Sequence, residues 1–444
     1  MTTSTLSRIA PADVHAVLAR HILADGYDLV LDFEKSHGSW LHDAKTGREL
    51  LDFCTFFASN PIGYNHPKMK DPDFLRTLHR VAQLKPALAD IYSVEYAQFV
   101  DTLGRLAKPA CMKYVFFIEG GALGIENALK TAFDWKVRRN QAKGIAGEKG
   151  SQILHFREAF HGRTGYTLSL TNTDPVKTDY FPKFKWPRVQ NPKLRFPFTR
   201  EVEQDVIAAE QQAIEEIEKA FADNPDDIAA IIIEPIQAEG GDNHFRAEFL
   251  QALGAAARRH EALFIVDEVQ TGIGITGKMW GFEHFGIQPD ILAFGKKAQV
   301  GGCMVGPRID EEPLNVFKVA SRISSTWGGN LTDMVRSGRF LEIIDEDQLV
   351  ENARLLGDHL LRGLREFEGE SGGKLQNARG RGLMIAFDLE TPQLRDRAQE
   401  AMLANGLLLL TCGKRSIRFR SALNLTVDDA DRGLEIVRKT LKEL

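Results

Sequence analysis

Residues 263–272 read LFIVDEVQTG and residues 289–302 read PDILAFGKKAQVGG, two short apolar runs that each end abruptly in charge. Neither run alternates polar with apolar residues, so the strands they form are buried on both faces, as in a parallel sheet covered by helices. A third stretch, YVFFIEGGALGIENALK at 114–130, passes from such a strand through a glycine turn into a helix with Ala122, Ile125, Ala128 and Leu129 on one side. QILHF at 152–156 and IAAIIIE at 228–234 repeat the strand pattern. Helices expected over about 122–139, 201–222 and 246–259 supply the crossovers that parallel strands need. The fold class is therefore α/β.

Outside this core the pattern changes. Pro11 stands where a first helical residue would, and Val14, Val17, Leu18 and Ile22 follow at helical spacing, so the chain is expected to open with a helix. LVLDFEKS, GSWLHD and RELLDF, between residues 29 and 53, read as short strands, the last two joined by the turn AKTG. After residue 331 come two helices, the strand GLMIAFDLE, a helix from Pro392, strands near 407–411 and 416–420, and a last helix from Val427. That is the pattern of a separate, smaller α+β domain. Residues 171–200 carry five prolines but also Tyr180, Phe181, Phe184, Trp186 and Phe196, which marks a long structured loop rather than a linker. The expected division is an N-terminal segment over 1–60 packing with the small domain, a large domain over 61–330 and a small C-terminal domain over 331–444.

With 444 residues, 43% of them hydrophobic, the chain has ample material for a large and a smaller core. Its net charge of −5 is neither the basic balance of a nucleic-acid binder nor a disordered acidic excess, so small-molecule partners are expected and no nucleic acid. Cys54, Cys111, Cys303 and Cys412 lie far apart, without metal-ligand or redox spacing, and imply a reducing compartment. The polar, then amphipathic beginning lacks a signal-peptide core and no 18-residue apolar run occurs, so a cytoplasmic protein with no membrane partner is expected. None of the 12 histidines forms a zinc-like pair, and no metal is expected.

Three strand ends carry groups capable of chemistry. Asp267 and Glu268 either cap a strand in solvent or face a ligand, since open α/β sheets bind ligands at the carboxyl edge of their strands. Lys296 and Lys297 are either a solvated pair or the site of covalent work, for which a lysine needs a carbonyl such as a cofactor aldehyde. The glycine turn opening the helix near residue 121 is either a tight connection or an anion cradle, because the first N–H groups of a helix are free and its dipole favours negative charge. It is neither a Walker sequence nor G-x-G-x-x-G. Together, a cradle, an acid and a lysine at the ends of buried strands are what pyridoxal 5'-phosphate requires. A carboxylate keeps the pyridine nitrogen protonated, a lysine binds the aldehyde and backbone amides hold the phosphate.

Six motifs follow in order: GYNHP at 63–67, FHGRT at 160–164, EPIQAEGG at 234–241, DEVQTGIG at 267–274, STWGGN at 325–330 and IRFR at 417–420. Through them nearly the whole chain resembles the class III (omega) aminotransferases of the fold type I pyridoxal-phosphate enzymes. The resemblance implies a mostly parallel seven-stranded sheet between helices in the large domain, and a homodimer with shared active sites. Within the family the chain is most similar to the L-lysine 6-aminotransferases, because FGKKAQVGG replaces the commoner AKGLGGG and GGAL replaces SGTEA. One departure is Ser324, where those enzymes carry asparagine; it bears on the choice of diamine.

The resemblance implies roles residue by residue. Lys296 is the Schiff-base lysine and proton shuttle, Asp267 the partner of the pyridine nitrogen, and Lys297 a bystander. Gln270 approaches the phenolic oxygen, Phe160 stacks on the ring, and Gly121 with Ala122 donates backbone N–H groups to the phosphate. Thr326 reaches the phosphate of the neighbouring subunit. Arg418 grips the α-carboxylate of 2-oxoglutarate, Arg163 the distant carboxylate, and Glu239 gates the pocket by neutralising Arg418 when lysine enters amine first. Plainer readings stand beside these: Phe160 packs in a core, Thr326 makes a local turn, and Arg418 faces water while Arg420 does the work. Glu234 either lines the pocket or is a strand-end charge; Asn330 reads as a helix N-cap and His161 as positional. The reaction implied is transfer of the ε-amino group of L-lysine to 2-oxoglutarate, giving 2-aminoadipate 6-semialdehyde and L-glutamate by a ping-pong route. The nearest alternative is another omega-aminotransferase acting on ornithine, 4-aminobutyrate or diaminobutyrate.

Overall fold

The structure, a computed structural model, describes residues 9–84 and 91–444. The opening helix is short: a 3-10 turn at Pro11–Asp13 runs into Val14–Leu18, and Ile22 lies beyond it. An N-terminal hairpin follows, β1 (Trp40–His42) antiparallel to β2 (Glu49–Asp52), with Leu41 opposite Leu50. LVLDFEKS is not a strand, contrary to its composition; only Leu31 bridges, to Asp43. The Asp32 side chain accepts the N–H groups of Glu34 and Lys35, and Ser36 Oγ donates to the Asp32 carbonyl, so a local turn outcompetes the ladder.

The large sheet holds β3 (Tyr114–Ile118), β4 (Gln152–Phe156), β5 (Arg188–Val189), β6 (Ile228–Ile233), β7 (Leu263–Asp267), β8 (Ile291–Phe294) and β9 (Gly301–Val305), in the order β3-β9-β8-β7-β6-β4-β5. All run parallel except β9, which is antiparallel to both β3 and β8. This is the mostly parallel seven-stranded sheet expected. The carboxyl ends of β3, β4, β6, β7 and β8 therefore meet at one edge, each followed by a turn. Two strands escape the apolar pattern. β9 begins with two glycines and β5 has only two residues, inside the proline-rich loop. That loop is ordered by aromatic stacking, with the rings of Phe184 and Trp186 5.0 Å apart and nearly parallel.

Helix Gly121–Ala142 lies on the sheet and buries Ile125, Ala128, Leu129, Ala132 and Trp135. Its first turn touches β9, because a methyl group on Gly124 would lie 2.7 Å from the Gly302 carbonyl oxygen.

After helices Leu331–Glu346 and Leu349–Glu370, the second sheet contains β10 (Gln376–Arg381) and β11 (Met384–Asp388). Helix Pro392–Ala404 follows, then β12 (Leu407–Leu408), β13 (Leu410–Cys412), β14 (Ser416–Arg420) and helix Val427–Glu443. The sheet order is β10-β11-β14-β13, antiparallel throughout. β10, with the sequence QNARGR, has no apolar run to betray it. β12 instead pairs in parallel with β2 and ties the N-terminal hairpin to the C-terminal region. Asn330 caps its helix by accepting the Thr332 N–H at 3.0 Å, as its position suggests. Among the described residues no helix is long and apolar enough to cross a membrane.

The Gly124 contact makes a prediction against helix propensity. Alanine is better than glycine in a helix interior by about 1 kcal/mol, yet Gly124→Ala should lower stability in urea unfolding by about 1–3 kcal/mol through overpacking against Gly302. A gain in stability would show that the helix does not sit this close to β9.

Candidate active site

The three charged or glycine-rich strand ends converge. Gly295, between β8 and Lys296, packs on the helix start so closely that a methyl group there would lie 2.9 Å from Gly121 Cα. A methyl group on Gly121 would meet a Val269 methyl at 2.6 Å, which brings the turn after Asp267 to the same point. One on Gly162, beside His161, would lie 2.7 Å from Ala122 Cβ. Gly120 has φ +90°, a conformation that favours glycine, and it launches the helix with the N–H groups of Gly121 and Ala122 at its open end.

Asp267 ends β7 with its side chain almost fully buried. One carboxylate oxygen accepts the Val269 N–H at 3.0 Å, and the other lies 2.7 Å from His161 Nδ1. His161 Nε2 is buried and has no partner among the described residues. The histidine thus braces the aspartate, the positional part its motif suggested. Glu234, at the end of β6, accepts the Phe160 N–H at 2.9 Å and the Ala238 N–H at 3.0 Å. Burial raises its carboxyl to about 7. It fixes the backbone that presents Phe160. Glu268 is likewise buried and raised to about 7, but it accepts the N–H groups of Gly281 and Phe282 and points away from this work.

The two lysines separate cleanly. Lys297 is buried and donates to the Gln270 carbonyl at 2.7 Å and the Ala58 carbonyl at 3.5 Å, so it is a structural tie, not a solvated charge. Lys296 has φ +50°, a left-handed conformation uncommon for a side-chain-bearing residue. Among the described residues its ammonium has no hydrogen-bond partner. Burial, with Arg418 and then Arg420 nearby, lowers its pKa to about 8. The lysine loop is clamped by a turn that the sequence did not advertise, in which Thr55, Phe56, Phe57 and Ala58 are all left-handed. Gln299 Nε2 donates to Ser59 O at 2.7 Å, and Thr55 Oγ1 to Arg420 O at 2.5 Å.

Arg418 and Arg420 protrude from the same face of β14, and their partners tell them apart. Arg420 is fully buried and locked: two nitrogens bond Asp242 at 2.9 and 2.5 Å, and Nε donates to Gln270 Oε1 at 2.7 Å. Arg418 donates to Glu239 at 2.8 Å and lies 3.4 Å from Gln270 Oε1, while its buried Nε has no partner among the described residues. Glu239 also bonds Lys177, a residue of the proline-rich loop that no motif singled out. The two cations, Arg418 foremost, hold its carboxyl below the usual range against the opposing effect of burial. Arg163, Thr326 and Ser324 are exposed.

The aminotransferase class-III family model matches residues 22–441. The chain belongs to the class III aminotransferases. It is 48% identical to the L-lysine-epsilon aminotransferase of Amycolatopsis lactamdurans over 97% of this chain and 95% of that protein. The protein of the same name from Streptomyces clavuligerus is 47% identical over 99% and 96% respectively. A solved lysine aminotransferase from Mycobacterium tuberculosis superposes with a TM-score of 0.96 at 46% identity, covering 98% of this chain and 100% of that one.

As a class III aminotransferase the chain requires pyridoxal 5'-phosphate, and the residues present suit it. Gly121, Gly162 and Gly295 bring the three turns together where no side chain would fit, the first helix amides are open to an anion, and a braced carboxylate and an unpaired lysine belong to the same cluster. Only the unprotonated Lys296 amine attacks an aldehyde, so capture of the cofactor by cofactor-free protein should speed up as pH rises and level off above about 8. Arg418→Met removes a repelling charge, which favours the ammonium form and should move that inflection upward. A stopped-flow pH series checks both; an inflection unmoved by the substitution would contradict the placement of Arg418 beside Lys296.

Proposed function

We propose that this chain is an L-lysine 6-aminotransferase that moves the ε-amino group of L-lysine to 2-oxoglutarate, giving 2-aminoadipate 6-semialdehyde and L-glutamate in two alternating half-reactions. The observation that carries the reading is the pair of Arg418 and Glu239 beside Lys296, a buried guanidinium with one donor unsatisfied and a carboxylate that neutralises it. An acidic acceptor satisfies that donor and displaces Glu239; an amine donor enters with the pair intact. The reading treats 61–330 as the cofactor domain, 331–444 as the small domain and 1–60 as a segment packed with it.

When bound, the cofactor supplies an electron sink that lets a carbon–hydrogen bond next to nitrogen break heterolytically. Asp267, braced by His161, keeps the pyridine nitrogen protonated. The Gly121 and Ala122 amides would hold the phosphate, Phe160 would pack on the ring, and Gln270 would serve the phenolic oxygen. Lys296 Nζ removes the proton from Cε of L-lysine, and in the second half-reaction delivers one to the carbon that becomes Cα of glutamate. A base of depressed pKa suits that task near neutral pH, as the value of about 8 for Lys296 does. In this reading Arg163 meets the carboxylate at the far end of either substrate. Thr326, exposed in the turn that carries STWGGN, reaches the phosphate of a second copy, so the working unit is a homodimer with shared sites.

Purified enzyme given L-lysine and 2-oxoglutarate should yield glutamate and the cyclised semialdehyde by mass spectrometry. Its rate should exceed that on ornithine, 4-aminobutyrate or diaminobutyrate by about ten-fold or more. A faster rate on one of the other amines would reassign the donor, Ser324 included.

A further inference from the structure

Glu239 is bonded by two cations, one on each oxygen, and only one of them is needed to close a gate. Arg418 Nη2 holds Oε2 from the buried side, and Lys177 Nζ holds Oε1 from the rim. The side chains are graded in exposure: 1% for Arg418, 23% for Glu239 and 25% for Lys177. Lys177 is itself well placed. It ends the 3-10 turn Pro175–Lys177, which the Asp174 side chain caps through the Val176 N–H at 3.1 Å, and its ammonium lies 5.8 Å from the centre of the Phe160 ring.

The main chain of Glu239 has no freedom to move with its carboxylate. Its carbonyl accepts the Gly413 N–H at 2.9 Å, and the next residue, Gly240, packs so tightly that a methyl group there would lie 2.1 Å from the Glu158 carbonyl oxygen. Any opening is therefore a side-chain rotation on a fixed base.

Resting on the transaminase reading above, we propose that Lys177 is the outer anchor of the gate, the cation that keeps Glu239 paired when Arg418 turns to the carboxylate of the acidic substrate. A carboxylate released from a buried arginine without a new partner is left to solvent alone, and separating such a pair is costly. Lys177 already holds one oxygen, so when Glu239 gives up its buried partner it keeps the one at the rim. Lys177 is thus a positioning residue for the second half-reaction and is idle in the first, where Glu239 stays on Arg418.

Steady-state kinetics on the holoenzyme test this. Lys177→Met should raise KM for 2-oxoglutarate about ten-fold, equivalent to about 1.4 kcal/mol, with KM for L-lysine and kcat near wild type. Lys177→Arg should restore the acceptor KM. In a Glu239→Gln background the Lys177→Met change should have no further effect on that KM. An unchanged acceptor KM in Lys177→Met overturns the proposal. So does a parallel rise in both KM values, and so does an effect that persists without the Glu239 charge. Failure of the wild-type enzyme to turn over L-lysine with 2-oxoglutarate is a separate result and would refute the underlying reading instead.

Discussion

Along the carboxyl edge of the large sheet, the turns meet at glycines that leave no room for a side chain of their own. Gly295 rests on Gly121, Gly121 on Val269, Gly162 on Ala122 and Gly301 on the Gly120 carbonyl, each closer than a β-carbon permits. Interiors are packed to crystal-like density, so contacts of this kind fix relative position to a fraction of an ångström. The placement of everything chemical follows. Lys296 comes one residue after Gly295, Asp267 two before Val269, and the open helix amides begin at Gly121. The left-handed backbone of Lys296 and the left-handed turn at 55–58 are tolerated because Lys297, Gln299 and Thr55 bond them into place.

Around this floor, buried charge divides into fixed and adjustable parts. Arg420 with Asp242 is fixed: both are fully buried, doubly bonded and tied to Gln270, and removing one partner from such a pair costs about 3–5 kcal/mol. Asp267 with His161 is fixed in the same sense. Arg418 with Glu239 is adjustable, since one arginine N–H lacks a partner and the glutamate is partly exposed. The same strand face therefore carries one arginine bonded through all three of its nitrogens and one whose Nε lacks a partner among the described residues.

Much of this was legible in the chain. Strands buried on both faces announce themselves as apolar runs, and the charges ending them, set beside a glycine turn, pointed to the strand ends that the fold brings together at Asp267 and Lys296. What escaped did so for physical reasons. β9 is glycine-rich because the helix start packs on it, and β10 is polar, so neither shows the pattern of a strand. The expected strand at 29–36 was lost to the Asp32 turn. Arg418 and Arg420 are two residues apart on one face, so spacing alone does not distinguish them; their partners differ because Asp242, far away in sequence, bonds Arg420. Lys177 sits in a proline-rich loop whose path is set by tertiary contacts, and nothing local marks it. The motifs drew attention to Lys296 and Glu239 but not to the bonds that bury Lys297 or to the second cation on the Glu239 carboxylate.

Lys296, and not its neighbour, must be the amine within reach of the cofactor if the three turns meet as described. Borohydride reduction of the holoenzyme followed by peptide mapping measures this directly. The expected result is the cofactor mass on Lys296 alone, absent from Lys296→Ala. Label on Lys297, or on a lysine elsewhere, would mean that the three turns do not meet as described and would contradict the site as a whole.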